Sequence, residues 1–402
     1  MLRPSFARAA GSTVLALVVA APAPAASYEV KPPLKIQDAV DAALANGDAV
    51  DVIFVQPGTY DEAVSIDYAL APGQTSLSLV RTKFPRPEIT GGLVVKDARL
   101  VSIVGFRIDS PHGDGLSAVR IVGSQAVTIA HCVGTPGDDG GVHATGSVRV
   151  TVDGGQWASM LTSGGGSGDG VRIVGGCDHV VRGSETKNNK GVGVRIEAPL
   201  SLVKKVTATG NAQGGIVIDG LNNEVKSVVA KGNGGAGIVV RGVCAVSKSS
   251  VRKNDGAGIE VGDGGAVSFT GGVVEDNTIA KNGGPGLHVR EDQHGLLIEK
   301  NGVTGNDGAG IRIHSDAHRV TANVAESNGG GHGIVVLGGA TSNCLTDNKV
   351  SSNSGEGIRI EGDDNLLVGN VAKGDDGIVS ASGATGNQGH ANKTASGKND
   401  FP

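Results

Sequence analysis

Four of the ten histidines fall within residues 288–318, interleaved with arginines and acids. His288 and Arg290 are followed by Glu291, Asp292 and His294. Arg312 and His314 are followed by Asp316 and His318, and Glu260 lies upstream. Imidazoles, guanidiniums and carboxylates gathered on one rigid surface are the groups that bind an anion and move a proton beside it. A second set, Arg120, His143, Arg172 and Arg195, is basic throughout. If stacked, these side chains would repel one another unless carboxylates or an anionic ligand intervened. His314-x-Asp316-x-His318 has residue types that suit zinc or copper, but its spacing is not a recognised metal motif, so no metal ligand is assigned. Calcium is the one cofactor kept open, at the acidic turns 137–141 (GDDGG) and 374–377 (GDDG), although most such turns are only turns.

These residues can meet only if the chain returns to the same face at a regular interval, and a repeat supplies that interval. The phrase Gly-aliphatic-x-aliphatic begins at Gly170, Gly193, Gly215, Gly237, Gly258, Gly286, Gly310, Gly333 and Gly357, at spacings of 21 to 28 residues. A second phrase, Asn-x-aliphatic-x-x-Asn, precedes the later copies, as in Asn277 to Asn282 and Asn301 to Asn306. Each period then holds two or three strands of about four residues, parted by turns that use Gly and Asn at positive φ. Strands that short bury no face alone. Stacking coil on coil at about 4.8 Å turns equivalent positions into continuous ladders. The Asn ladders read as structural, each amide satisfying the next.

Both phrases, at a period near 23, resemble the right-handed parallel β-helix of pectin-lyase-like proteins. In pattern they are similar to the short repeats of the exported accessory proteins of nitrous oxide reductase assembly. The resemblance spans about residues 34–380 and implies an all-β, single-stranded right-handed parallel β-helix solenoid of eleven to thirteen coils. It says little about activity, because this fold carries lyases, esterases, hydrolases, epimerases, tailspikes, adhesins and inert spacers. Residues 34–45 (LKIQDAVDAALA) place Ile36, Val40, Ala43 and Leu44 on one helical face, which predicts a helix over 34–46 capping the first coil. VIFV at 52–55 predicts a strand, and PGTY at 57–60 resembles the structural phrase that opens many β-helix enzymes. The β-helix is expected over 27–383, and the loss of pattern over 384–402 predicts a poorly ordered tail.

Composition agrees with this architecture. Of 402 residues 67 are Gly, too few for a collagen period and too many for helix bundles, and aromatics are only 2%. The core must therefore be aliphatic. Residues 1–26 read as a cleaved signal peptide, with Arg3 and Arg8, an apolar run at 13–20 and a small-residue site at 23–25, so a secreted or periplasmic protein is expected. Without both arginines the balance is 33 basic against 40 acidic residues, 33 − 40 = −7. That charge argues against nucleic acid as a partner. No later apolar stretch is long enough for membrane insertion, and a monomer is expected. Cys132, Cys177, Cys244 and Cys344 are far apart and are read as buried small apolar groups, with no disulfide signalled.

In Gly-aliphatic-x-aliphatic-y the aliphatics face inward, so x and y form outward columns. The x column runs Arg120, His143, Arg172, Arg195, Val217, Val239, Glu260, His288, Arg312, Val335, Arg359. Arg290 and His314 belong to the y column beside it. Lyases of this fold use Arg or Lys to neutralise a uronate carboxylate or to remove the adjacent proton, and the two patches could resemble that arrangement. On that basis His288, Arg290, Arg312 and His314 are the candidate catalytic groups. Arg120, His143, Arg172, Arg195 and Glu260 are the candidate substrate-binding groups. The expected partner is an acidic polysaccharide, since sites for neutral sugars usually stack the ring on an aromatic. Binding is the leading reading, with β-elimination as the chemistry the resemblance would add. The competing class is a non-catalytic periplasmic or surface scaffold, including an accessory of the copper-site assembly type, so enzymatic activity stays open. A polygalacturonase is excluded, because Asp138-Asp139 and His332 lie eight coils, or about 38 Å, apart.

Overall fold

In the computed structural model, residues 26–401 are described except 47, 69–75, 110–116, 135–139, 161–166, 263–264, 266, 375 and 396. The proposed signal peptide therefore lies outside the described residues, apart from Ala26. The chain winds as a parallel β-solenoid of about 15 turns, each turn giving one strand to each of three sheets of 16, 15 and 15 strands. The first sheet opens with Ala26–Val30, Val50–Val55 and Ser76–Arg81. The second opens with Thr59–Tyr60 and Glu88–Ile89, and the third with Val64–Asp67 and Leu93–Lys96. This exceeds the eleven to thirteen coils expected, because the third sheet continues past the columns aligned from sequence, through Val64–Asp67 and Leu93–Lys96 at one end and Gly377–Ser380 and Lys398–Asn399 at the other.

Alternation decides which side chains fill the core. In the third sheet Ile121, Ala144, Ile173 and Ile196 stack in register facing inward, all with no exposed surface, while the residues between them face out. Fully burying one such aliphatic contributes about 1.5–3 kcal/mol, and β-branched side chains fit the pleat. Trp157, the single tryptophan, is also fully buried. It is accommodated by Gly134 and Gly141, where a Cβ would lie 2.6 and 2.8 Å from its ring.

All three corners are built alike in the later coils. A residue with φ near +55° reverses the chain, and the buried residue after it bonds to the coils above and below. Examples are Lys300 before Asn301, and Ser342 before Asn343. At the first corner Asn277, Asn301, Asn323, Asn348, Asn370 and Asn392 form a ladder in which each amide Nδ2 and backbone N–H donate to the next Oδ1 at 2.9–3.1 Å. A second ladder of the same design follows the second sheet from Asn189 to Asn353.

The helix, α1 (Ile36–Ala45), buries Ile36, Ala39, Val40 and Ala43 and packs on Ala26–Val30, Val50–Val55 and Val64–Asp67. Glu62 accepts from the backbone N–H groups of Ile36 and Gln37 at 2.6 and 3.0 Å, holding its first turn. At the other end, residues 384–402 differ from the expectation of a poorly ordered tail. Gln388–His390, Lys393–Thr394 and Lys398–Asn399 extend the three sheets, and Phe401 is buried against the last coil. Backbone pairing continues there after the side-chain phrase has faded, so composition alone missed it. The four cysteines are free thiols. Cys132 and Cys244 are buried as expected, but Cys177 and Cys344 are half-buried.

Candidate functional site

The outward face of the third sheet carries both patches in the expected register. Arg120 pairs with His143, His143 with Arg172 and Arg172 with Arg195, so four basic side chains stand on four consecutive coils. Val217 and Val239 follow, then Glu260, His288 and Arg312 on three more consecutive coils. At about 4.8 Å per coil, Arg195 and Glu260 are about 14 Å apart. The two patches are therefore separate, and no single small ligand bridges them.

Carboxylates neutralise part of the first patch. Arg195 Nε lies 3.2 Å from the buried Asp169, and Arg172 lies 3.7 Å from Glu197. Arg120 is exposed and has no carboxylate in ion-pair reach among the described residues. Asp169 was not among the expected site residues. It lies on the same strand as Arg172, and only the coil stacking shows that it reaches Arg195.

In the second patch, Arg290 pairs with Glu260 at 2.9 Å. His314 sits between two partners: its Nδ1 is 3.0 Å from Glu291, and its Nε2 accepts from Arg312 Nε at 2.9 Å. Those partners place the proton on Nδ1 and keep the ring neutral. Burial and then the Arg312 charge depress the His314 pKa. The His288 ring stacks 5.0 Å from that of His314 and is buried, with Nε2 lacking a hydrogen-bond partner. Burial, followed by Arg290, His314 and Arg312, lowers its pKa to about 3. Arg312 has no carboxylate in ion-pair reach among the described residues, which leaves its Nη groups available to an anion.

The neighbouring acids and imidazoles divide differently from the sequence expectation. His318 is fully buried and is not part of a surface cluster. Its Nδ1 accepts from Leu296 N at 3.0 Å and its Nε2 meets Ser315 Oγ at 2.9 Å. It takes the place that Asn343 and Asn365 fill on later coils, an imidazole nitrogen replacing an amide oxygen. His179 does the same for Val150. His314, Asp316 and His318 thus do not converge, and no group of three or more His, Cys, Asp or Glu that could hold a metal ion occurs among the described residues. Asp138, Asp139 and Asp375, from the turns considered for calcium, lie outside the described residues. His332 pairs with Glu356 at 2.6 Å, and Glu356 and Glu361 flank Arg359. That network had no counterpart in the sequence reading, because Glu356 belongs to a turn and not to the x or y column.

Two family matches to the right handed beta helix region, over residues 117–274 and 267–399, cover most of the coils just described. The chain belongs to the right-handed β-helix family. Among solved structures, this β-helix is similar to the Dettilon tailspike protein, with 13% identity, a TM-score of 0.46, and coverage of 89% of this chain and 62% of that one. It is also similar to the periplasmic alginate epimerase AlgG, with 13% identity, a TM-score of 0.42, and 86% and 77% coverage. A third similarity is to the Azotobacter vinelandii mannuronan C-5 epimerase A-module, with 16% identity, a TM-score of 0.40, and 90% and 94% coverage. The chain spans under two thirds of the tailspike's length, and at these identities the likeness concerns the fold alone. No curated protein matches the sequence. No helix among the described residues is long and apolar enough to cross a membrane.

Proposed function

We propose that this β-helix is an exported protein that binds an acidic polysaccharide along the outer face of its third sheet, with α1 closing the N-terminal end of the core. The observation that carries the reading is the unbroken register of Arg120, His143, Arg172 and Arg195, which sets one basic group on each of four coils. A polymer with an anion on every residue presents charges in a row, as this column does. Arg312, with His288 and His314 beside it, supplies a second contact further along the same face. Glu260 orients Arg290, and so acts on the ligand only through that residue. The leader-like residues 1–26 support export.

Binding is better supported than cleavage. A base with a pKa of about 3, as at His288, is a weak acceptor for a proton beside a carboxylate at neutral pH. The second reading, a non-catalytic scaffold, draws on Arg195, Arg290 and Arg359, whose charges are met by the protein's own acids.

A panel of pectate, alginate and glycosaminoglycans against the purified protein tests the proposal. Acidic polymers are expected to bind more weakly as salt rises. Arg172→Ala or Arg312→Ala should each weaken binding by about tenfold, the scale of one charge-assisted contact. Affinity unaltered in both variants would exclude the third sheet as the binding face. Absorbance at roughly 235 nm, from the conjugated product of proton abstraction beside a carboxylate, separates a lyase from a binder.

A further inference from the structure

A different surface lies on the first coils, on the second sheet and away from the columns above. Thr59, Glu88 and Arg107 stand in register on its outer face. Together with Phe84 and Arg86 they line a cavity of about 410 Å³. Phe84 is 76% exposed, more than any other large apolar side chain among the described residues, in a chain with only 6 Phe, 3 Tyr and 1 Trp. An aromatic ring held in water beside a cavity is a surface on which a sugar ring can lie.

The charges around the cavity are unequal. Glu88 neutralises Arg107 at 3.0 Å. Arg86 and Arg81 have no carboxylate in ion-pair reach among the described residues, and Arg86 Nε and Arg81 Nη1 are both buried with no hydrogen-bond partner. Arg81 does not line the cavity but lies across Gly105, where a Cβ would stand 2.5 Å from Arg81 Cδ and φ is +87°. The two guanidiniums converge electrostatically on the buried Cys132 thiol. Burial raises that thiol to about 11, and backbone hydrogen bonds followed by Arg86 and Arg81 act against it. Arg86 lines the cavity without a carboxylate to meet its charge, and an anionic ligand there would supply a charge-assisted partner.

We infer that this cavity is a subsite for an anionic saccharide, with a sugar ring against Phe84 and a carboxylate or sulfate held by Arg86. The subsite stands on its own geometry and does not depend on the third sheet.

Isothermal titration of the full chain with a galacturonate hexasaccharide and a chondroitin sulfate hexasaccharide tests it, with a maltose hexasaccharide as the neutral control. Binding of at least one acidic hexamer is expected to weaken about fivefold in Phe84→Ala and about tenfold in Arg86→Met. Because Phe84 is exposed, its removal leaves the core intact, and an unchanged thermal midpoint confirms that. Arg312→Ala should leave this component of the isotherm unchanged. The subsite is refuted if neither acidic hexamer binds, if the neutral hexamer binds equally well, or if Phe84→Ala and Arg86→Met both bind as the wild type does. A loss seen only in Arg312→Ala would refute it too, while preserving the third-sheet reading.

Discussion

At the scale of single residues, the histidines divide by partner and not by sequence neighbourhood. His314 faces outward between Glu291 and Arg312, whereas His318, four positions on, is a rung of the buried corner ladder. Burial lowers the His318 pKa to about 4, mainly because a charged ring inside the corner would lose water and the bond from Leu296 N. The folded pKa is below the unfolded value of about 6.5. Its stabilising contribution is therefore complete above about pH 6.5 and is lost as pH falls toward 4, by at most about 1.4 kcal/mol per pH unit. Thermal midpoints measured between pH 7 and 4 should fall less steeply in His318→Asn than in the wild type, because Asn makes the same acceptor at Asn343. An equally steep fall in the variant would show that another group dominates the acid sensitivity.

At the scale of the element, each corner residue is held from both sides. Asn328 donates from Nδ2 to Val303 O and Asn353 Oδ1, and its own Oδ1 accepts from Asn306. Asn328→Leu removes these partners inside a corner from which water is excluded, at a cost of about 1–3 kcal/mol for each group left unpaired. A drop of several degrees in thermal midpoint is the expected outcome, with binding on the third sheet retained in the folded fraction. A midpoint unchanged from wild type would mean that backbone pairing alone holds the corner. The same logic explains why the two phrases are so visible in sequence. Every coil needs an aliphatic inside, a residue tolerant of positive φ at the corner and an acceptor directly after it.

At the scale of the whole molecule, a solenoid coil touches only its neighbours, so its ends limit its stability. Phe401 covers the last coil, donating its N–H to Asn399 Oδ1 at 3.1 Å and accepting at its carbonyl from Asn392 at 2.9 Å. Removing residues 384–402 would uncover Leu367, Ala372 and Ile378, all without exposed surface in the intact chain. Hydrogen exchange should then show protection lost in the coils next to the cut and kept around residues 190–330. Undiminished protection near the cut would show that the last strands do not act as an end cover.

The sequence by itself determined the fold class, a coil of two or three short strands and the outward register that brings Arg120 to Arg195 and Glu260 to Arg312 together. Those features repeat, and a repeated constraint leaves a readable period. What only the tertiary structure decided is not periodic. Asp169 reaches Arg195 across one coil, His318 turns into a corner while His314 turns out, and Phe84 and Arg86 meet Thr59 and Arg107 around a cavity on the first coils. Each of these depends on how a side chain crosses from its own coil to the next. That path is set by packing and charge among neighbours far apart in the chain, for which local spacing carries no signal.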